Sequence, residues 1–362
     1  MALELWSSGE LYQTIQDDRL DPIPNWIQQN HFSAVHYSAD REILISKLPA
    51  KDRKLAPFVL PTEQGKPIFG VKPESVKSLT PAYIKPKDAV RPEDARIPRP
   101  SEILRQDPLT LQERFDLRVL EIQEYHKRAI KMQEAWMCAR AFVDGKVVIN
   151  YGRDAGMPNP EVTVDFGRDA GHTVTLTGSS TDYWSDPDYD IMGDVERWMT
   201  TMYLALYGGT AAQLIVGSAV APYISKNKDI KELMNKNYRG SEDVSVNTGL
   251  MRTVRPLTTL GRLDSGLEIL TYKDQVQNDD GSMVDLFDPR DVMLVAPGAE
   301  GVMAYGAIYD VDAMQSGQAA STDIFSKMFK TDDPGELFIM NQSAPLPIPL
   351  YPNRTFKARV LK

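Results

Sequence analysis

The sequence predicts an α+β fold in which short strands surround one very long helix, and a second unit of alternating helices and strands follows. Three observations support this prediction. A helical pattern runs over residues 108–143, strand-like runs come directly after it, and helical and strand-like patterns alternate over residues 186–328. The composition, with 42% hydrophobic and 25% charged residues, is typical of a globular protein and favours a folded chain.

The first 38 residues are predicted to form an amino-terminal arm with short helical pieces. Apolar residues such as Trp6, Leu11 and Trp26 are spread among polar ones, so they need a surface to lie on and are too scattered to build a core. Two runs in the next segment, residues 42–48 and 55–60, have the composition of short strands.

A basic, proline-rich ribbon covers residues 61–100. It holds eight of the 25 prolines, and its eight Lys and Arg against five acids give it about +3, which leaves about −12 for the rest of the chain. Proline is excluded from helix interiors and central strands. One interpretation is a disordered linker, but the interleaved apolar residues favour an extended two-stranded arm that packs outside its own domain.

Residues 108–143 are predicted to form a helix roughly 50 Å long. Its start has two candidate signals, Asp107 followed by Pro108, or a capping box made by Thr110 and Glu113. The Asp144-Gly145 pair ends it. An apolar stripe at helical spacing is expected to face a sheet, and it consists of Leu111, Phe115, Val119, Ile122, Ala129, Met132 and Trp136.

Strand-like runs follow this helix at residues 146–151, 161–166 and 172–177. Residues 186–328 then form the second α/β unit. Residues 329–362 are rich in strand-forming residues and spaced by prolines, which indicates a return of the chain to a sheet edge.

Composition excludes several classes of site. The net charge of −9 gives no overall basic field for nucleic acid. The single cysteine excludes an intrachain disulfide and zinc sites built on cysteine pairs, and the four histidines lack metal-ligand spacing. The amino terminus does not resemble a signal peptide, and apolar stretches stay below the ~18 residues of a membrane span, so no membrane partner is expected.

Enzyme motifs are missing from the sequence. A nucleophile elbow, a P-loop and a dinucleotide-binding glycine pattern are all absent, which predicts a chain without catalytic, cofactor-binding or metal-binding residues and without a cofactor. The acidic cluster at residues 182–190 is one candidate cation site. It lacks the ordered alternation of an EF-hand loop, so we favour a solvated loop that leads into a helix.

Two proline-spaced segments resemble a known family. LTPAYIKPKDAVRPEDAR (79–96) and DPGELFIMNQSAPLPIPLYPN (333–353) are similar to segments of the lambda-type phage major capsid proteins, the capsid protein E family. VMAYGAIYDVDAM (302–314) is also similar, as is the position of the long helix directly after the basic ribbon. The resemblance covers most of the chain and is weak in the first 38 residues and in 235–260.

The resemblance implies a Hong Kong 97-type capsid fold. Its parts are expected as an amino-terminal arm (1–38), strands of a peripheral domain (39–60), an extended E-loop (61–100), the peripheral domain (101–185) with a spine helix at 108–143, an axial α/β domain (186–328) and a carboxy-terminal return to the peripheral sheet (329–362).

The implied function is that of a tailed-phage major capsid protein, which self-assembles into pentamers and hexamers of an icosahedral shell around double-stranded DNA. It would assemble in the host cytoplasm and reside in the virion. Besides further copies of itself, the implied partners are a portal protein, a decoration protein and non-specifically held DNA on the inner face. A separate scaffolding protein is implied because the first 38 residues are too short for a scaffolding domain.

The ribbon is expected to lie over a neighbouring subunit through noncovalent contacts. Proline stiffness limits the entropy lost on docking, and positive charge complements the acidic remainder of the chain. The residues expected to make these contacts are Pro81, Tyr83, Lys85, Pro86, Lys87 and Arg91.

Two other functions remain open from sequence. An encapsulin-like compartment would share the fold but would need a cargo-peptide pocket. A metal-dependent α/β enzyme would use Asp186, Asp188 and Asp190 as oxygen ligands.

Overall fold

The described part of the chain comes from a computed structural model. It comprises residues 6–16, 25–40, 42–46, 76–91, 109–150, 161–227, 230, 257–263, 266–278, 281–317, 322–331 and 336–362. The predicted strand at 55–60, the ribbon segments 61–75 and 92–100, and the helix start at Asp107 lie outside these residues.

The helices of the described residues range in length from five residues to 34 residues. None of them combines the length and apolar character needed to cross a membrane. They are α1 (Ser8–Ile15), α2 (Trp26–His31), α3 (Leu111–Asp144), α4 (Ile191–Leu204), α5 (Ala221–Lys226) and α6 (Val311–Gln315).

The strands are short, and most pair with strands far away in sequence. In chain order they are β1 (Ala34–Tyr37), β2 (Ile43–Ser46), β3 (Val76–Leu79), β4 (Lys87–Val90), β5 (Lys146–Asn150), β6 (Glu161–Asp165), β7 (Thr173–Thr175), β8 (Gln213–Gly217), β9 (Leu257–Arg262), β10 (Glu268–Tyr272), β11 (Gln275–Gln277), β12 (Met283–Asp285), β13 (Asp291–Val295), β14 (Gly301–Tyr305), β15 (Phe325–Lys330), β16 (Leu337–Gln342), β17 (Pro345–Pro349) and β18 (Thr355–Arg359).

A six-stranded mixed sheet has the order β7-β18-β13-β8-β10-β9. Helix α4 packs against it through Trp198, whose ring stacks on Trp184 at 5.6 Å and on Phe356 at 5.5 Å between centroids. Two three-stranded sheets, β1-β14-β17 and β15-β16-β4, lie along α3. The fold is therefore a mixture of helix and sheet, as the sequence predicts.

The strand partners differ from the predicted division at residue 328. β14 precedes that residue and β15 crosses it, yet they pair with β17 and β16 beside α3. β18, which is predicted to return to a sheet edge, instead enters the six-stranded sheet between β7 and β13. Strand alternation in a sequence does not specify partners, because pairing depends on contacts between distant segments.

The capping signals of α3 are confirmed. The Thr110 hydroxyl accepts a hydrogen bond from the Glu113 backbone, and the Glu113 carboxylate accepts one from the Thr110 backbone. Gly145 ends the helix in the left-handed region with φ 67°, where a side chain would also meet Arg168. Thr110 is therefore the residue that starts the helix.

The predicted stripe on α3 is only partly correct. Phe115, Val119 and Ile122 are buried, but Leu111 is 55% exposed and Met132 is 37% exposed. Trp136 is half-buried and Ala129 is exposed. The buried face instead contains polar side chains, namely Gln123, His126, Lys127 and Glu134. An apolar-residue pattern misses these positions, since burial of a polar group depends on partners elsewhere in the chain.

The described part of the ribbon lies within its own subunit. β3 pairs antiparallel with β2, and β4 pairs antiparallel with β16. Pro81 is buried and Pro86 half-buried in the connection between β3 and β4, where no strand donor is needed. Residues 76–91 are therefore anchored within their own chain, and the arm that packs outside its own domain stays a prediction.

The described residues of the amino-terminal segment form short elements that lie on the rest of the fold. Leu11 of α1 packs with Phe115 and Val119 of α3, and Ile15 packs with Ile130. The Trp6 indole also donates a hydrogen bond of 2.9 Å to Asp116.

Candidate functional site

The three segments that carry the family resemblance meet beneath the middle of α3. Residues 81–91 of the ribbon, residues 305–312 after β14, and the Asn341-Gln342-Ser343 run surround the polar face of this helix. All three residues of that run are 0% exposed. We call this region the polar junction and define it by these segments together with Gln123, His126, Lys131 and Glu134 of α3.

The first part of the junction is a hydrogen-bond chain from β15 to the ribbon. Gln123 donates to the Ser326 hydroxyl at 2.7 Å, and Asn341 donates to both Gln123 at 2.9 Å and His126 Nδ1 at 3.1 Å. His126 Nε2 lies 2.8 Å from Asp88. Because Nδ1 accepts a hydrogen bond, neutral His126 carries its proton on Nε2 and donates it to Asp88.

The second part is centred on Gln342. Its carbonyl oxygen accepts a hydrogen bond of 2.6 Å from the Tyr83 hydroxyl, and its amide donates to Asp310 at 2.8 Å. Lys327 pairs with Asp310 at 2.6 Å. Partial burial opposes ionisation of Asp310, but hydrogen bonds from Lys327 and Gln342 outweigh it and lower its pKa. Gln342 thus ties the ribbon to the turn that begins α6.

The third part is a cluster of buried charges. Lys131 of α3 lies 2.9 Å from Asp323 and 3.2 Å from Glu134, and Tyr305 donates to Glu134 at 3.2 Å. Gln16, just after α1, donates to Asp323 at 3.1 Å. The cluster therefore joins the amino-terminal arm, α3 and β14.

Burial sets the pKa directions in this cluster. Burial raises the pKa of Glu134, because the charged form loses its contact with water. The positive charge of Lys131 opposes this rise, and the negative charge of Asp323 adds to it. Burial also opposes the charge on Lys131, but the two carboxylates outweigh it and raise its pKa. For Asp323 the attraction to Lys131 likewise exceeds the cost of burial and lowers its pKa. Lys131 therefore stays positively charged and holds both carboxylates.

The junction is built for rigidity rather than for chemistry. Most of its polar side chains hydrogen-bond to one another, although the side-chain oxygen of Asn341 is buried without a partner among the described residues. A cavity of about 680 Å³ lies elsewhere, between α2, the turn at residues 296–300 and the β9–β10 hairpin, and the residues that line it do not belong to the junction. Within the described ranges, no group of three or more acidic, histidine or cysteine residues could hold a metal ion.

The acidic cluster at residues 182–190 has a structural use. Asp190 caps α4 by accepting a hydrogen bond of 2.8 Å from the Gly193 backbone. Asp186 accepts one of 2.9 Å from the Asp188 backbone. These are turn and capping contacts, so the preferred interpretation of a loop leading into a helix is supported, and the metal-enzyme alternative gains no support.

The six ribbon residues predicted to contact a neighbour are mostly engaged within their own chain. Lys85 is exposed. The others have intrachain roles: Pro81 is buried, Tyr83 donates to Gln342, the Pro86 carbonyl accepts from Asn341, Lys87 lies 3.9 Å from the Phe338 ring centre and Arg91 pairs with Glu336 at 3.3 Å.

Sequence reasoning missed the polar junction. Gln123, Lys127, Ile130 and Glu134 follow one another at helical spacing, which marks one face of the helix. Three of these four residues are polar, and a polar residue read alone indicates solvent exposure. The useful signal was the polar Asn341-Gln342-Ser343 run at the end of an apolar strand. Such a run needs hydrogen-bond partners if it is buried.

Acidification below pH 6.5 is expected to destabilise the subunit through its buried histidines. Burial lowers the pKa of His126 below its ordinary 6.5, as it does for His31 and His172. As the pH falls, these histidines therefore bind protons in the unfolded chain before they do so in the folded chain. The free energy of unfolding thus decreases below pH 6.5, by at most about 1.4 kcal/mol per pH unit for each histidine.

Denaturant unfolding between pH 5.5 and 7.5 measures this slope. Replacement of His126 by glutamine removes one titrating group while keeping a side-chain amide near Asp88, so the slope should become shallower. A slope equal to that of the wild type would show that His126 does not contribute to it.

Comparisons with known proteins agree with this architecture. The family model described as phage major capsid protein E matches residues 10–360. The major capsid protein of Escherichia phage N15 is 27% identical over 321 residues, covering 87% of this chain and 88% of that protein. The major capsid protein of Escherichia phage lambda is 26% identical, covering 84% and 85%.

The fold comparison gives the same result. The crystal structure of a capsid protein of a prophage in E. coli strain CFT073 aligns with a TM-score of 0.67 at 20% identity, covering 98% of this chain and 99% of that one. The family match runs through α3, the ribbon and the polar junction. This chain therefore belongs to the phage major capsid protein E family, whose members build the virion capsid and are structural proteins rather than enzymes.

Proposed function

We propose that this chain self-assembles into pentamers and hexamers of a closed icosahedral shell that encloses the double-stranded DNA of a tailed phage. The observation that carries the proposal is the family match over residues 10–360. The polar junction supports it, because a subunit that must bear load between neighbours benefits from a helix fixed along its length. Gln123 fixes α3 to β15 and β16, Lys131 fixes it to Asp323 just before β15, and Glu134 fixes it to β14.

For the fold we propose the Hong Kong 97-type arrangement. Helix α3 would be the spine helix, and the six-stranded sheet with α4 would form the axial domain. The strand partners suggest changed boundaries, since β14 and β15 belong with the sheets beside α3 while β18 belongs with the six-stranded sheet. The peripheral domain would then contain β14 to β17, and the axial domain would contain β18.

We propose a divided role for the ribbon in contacts with a neighbour. Four of the predicted contact residues, Tyr83, Pro86, Lys87 and Arg91, anchor the ribbon on β16 and Glu336 before it. Pro81 is buried, and the exposed Lys85 would reach an acidic neighbouring subunit. β2 and β3 support this arrangement, because Ser46 is paired with Val76 and the chain between them leaves and returns at one place.

The proposed partners beyond further copies of this chain are a scaffolding protein, a portal protein, a decoration protein and DNA held without sequence preference on the inner face. The net charge of −9 argues that DNA contacts are sparse and depend on local basic patches.

Electron microscopy of the purified protein, expressed alone and with its scaffolding protein, tests the proposal. We expect closed particles with fivefold and sixfold capsomers. A protein that remains monomeric under both conditions would contradict the proposed assembly.

The Lys85→Glu variant tests the ribbon contact in the same assay. Because exposed ion pairs are screened over about 8–10 Å at physiological salt, the loss of particles should be greater at low salt than at high salt. Lys226→Glu, at the end of α5, is a matched charge reversal outside the ribbon. If both variants lose particles to the same extent, the result would contradict a specific role of Lys85 in the contact.

A further inference from the structure

A turn at the end of α4 displays apolar side chains to solvent. Tyr203, Leu204 and Leu206 are 52%, 72% and 58% exposed, within a stretch of four residues. Tyr207 follows, and its ring lies 6.0 Å from that of Tyr351, next to the exposed Leu350. We call Tyr203, Leu204 and Leu206 the apolar turn. Single exposed apolar residues are ordinary on protein surfaces, but a cluster of this kind indicates a contact surface.

The backbone holds the apolar turn in a strained conformation. Tyr207 has φ 58°, the one described residue other than glycine with a positive φ. Such a conformation costs free energy in a bulky residue and persists where its surroundings enforce it. Gly208 follows in close contact with the Met202 carbonyl, where a Cβ atom would collide.

Two side chains from the β17–β18 connection enforce the turn. Asn353, which is buried, donates a hydrogen bond of 3.0 Å to the Leu206 carbonyl. Arg354 donates to the Tyr207 carbonyl at 3.4 Å and to the Gly298 carbonyl at 2.8 Å. These hydrogen bonds hold the backbone of the turn in place, so its apolar side chains point to solvent in a fixed arrangement. A fixed arrangement lowers the conformational entropy that is lost when the turn binds a partner.

The charge pattern identifies what can cover the turn. From Trp198 to Ser225 the sequence contains no charged residue, although 25% of the whole chain is charged. Two copies of a chain with net charge −9 repel one another, so they approach most favourably through neutral surfaces. The exposed side chains of the apolar turn are themselves uncharged and preorganised, so the turn suits a second copy of this chain better than a charged partner such as DNA.

We infer that the apolar turn is an interface between neighbouring copies of this chain, with Leu204 and Leu206 buried against the adjacent subunit. This inference rests on the proposed shell assembly and adds a contact that the ribbon does not supply. The partner surface must be apolar, because burial of these side chains against charged groups would leave those groups without water.

Thiol labelling tests the burial of the turn. The single native cysteine, Cys138, is 0% exposed, so a Leu204→Cys variant presents one accessible thiol. A small maleimide should label this thiol rapidly in unassembled subunits and at least about tenfold more slowly in particles. Equal labelling rates in subunits and particles would overturn the inference while leaving shell assembly intact.

A charge substitution tests whether the apolar turn contributes to assembly, rather than only becoming inaccessible to the label inside the particle. Leu206→Asp should lower particle yield at least about tenfold while the subunit keeps the wild-type circular dichroism and melting temperature. Met283→Asp, at a site of the same 58% exposure on β12, is the matched control and should assemble normally. Normal particle yield from Leu206→Asp, or equal losses in both variants, would overturn the inference. Failure of the wild type to assemble would instead overturn the proposed function, and this inference with it.

Discussion

Replacement of Lys131 by methionine should destabilise the folded subunit by about 3–5 kcal/mol. Methionine fills a similar volume but removes the cation that lies 2.9 Å from Asp323 and 3.2 Å from Glu134. Two carboxylates would then face each other in a region where Glu134 has no solvent exposure. Denaturant unfolding of the isolated subunit measures the loss. Arg128→Met, on the exposed face of the same helix, removes a surface pair with Glu124 and should cost less than about 1 kcal/mol.

The pH dependence of the Lys131→Met variant has a definite sign. Burial already raises the folded-state pKa of Glu134, and loss of Lys131 raises it further. A carboxyl with a raised folded-state pKa contributes stability at low pH that is lost as the pH rises through that pKa. The difference from the wild type should therefore be smaller at pH 5 than at pH 7.5.

A second substitution checks the origin of this effect. Glu134→Gln in the Lys131→Met background removes the buried negative charge and should restore part of the stability. A double variant as unstable as Lys131→Met would show that the loss comes from packing, and a Lys131→Met variant as stable as the wild type would contradict the ion cluster.

Truncation of Phe115 to alanine should cost about 3–5 kcal/mol of folding free energy. The Phe115 ring is 4% exposed and packs with Leu11, Val119 and Ile339, so its removal leaves a cavity where the amino-terminal arm, α3 and β16 meet. Thermal or denaturant unfolding of the soluble subunit measures the change.

Leu111→Ala is the matched control for this truncation, since both residues belong to the stripe predicted from sequence. Leu111 is 55% exposed, so its truncation should change stability by less than about 0.5 kcal/mol. Equal losses for Leu111 and Phe115 would favour the sequence-predicted stripe over the observed helix face.

Local signals were enough to predict much of the fold. The Thr110–Glu113 capping box and Gly145 bound α3 as observed, and the runs at 146–151, 161–166 and 172–177 contain β5, β6 and β7. These features depend on neighbouring residues, whose preferences the sequence displays directly. The resemblance of the two proline-spaced segments also identified the correct family.

The sequence carried no direct signal for features that depend on partners distant in the chain. His126 and Glu134 look like solvent-facing positions until Asn341 and Tyr305 are brought to them by strand pairing. For the same reason the sequence of residues 76–91 does not show that β3 pairs with β2 and that β4 pairs with β16. The apolar turn was also missed, because Leu204 and Leu206 continue the hydrophobic pattern of α4, which ends at Leu204.

The position of β18 bears on how the subunit folds. This strand follows all other described elements in chain order, yet it lies inside the six-stranded sheet, between β7 and β13. Until β18 is synthesised, β7 and β13 each lack one strand partner, so the sheet closes late and, for β7, through contacts of high sequence separation. Such contacts slow folding and expose nascent strands to aggregation. A chain that terminates before β18 would leave β7 unpaired and β13 with an open edge.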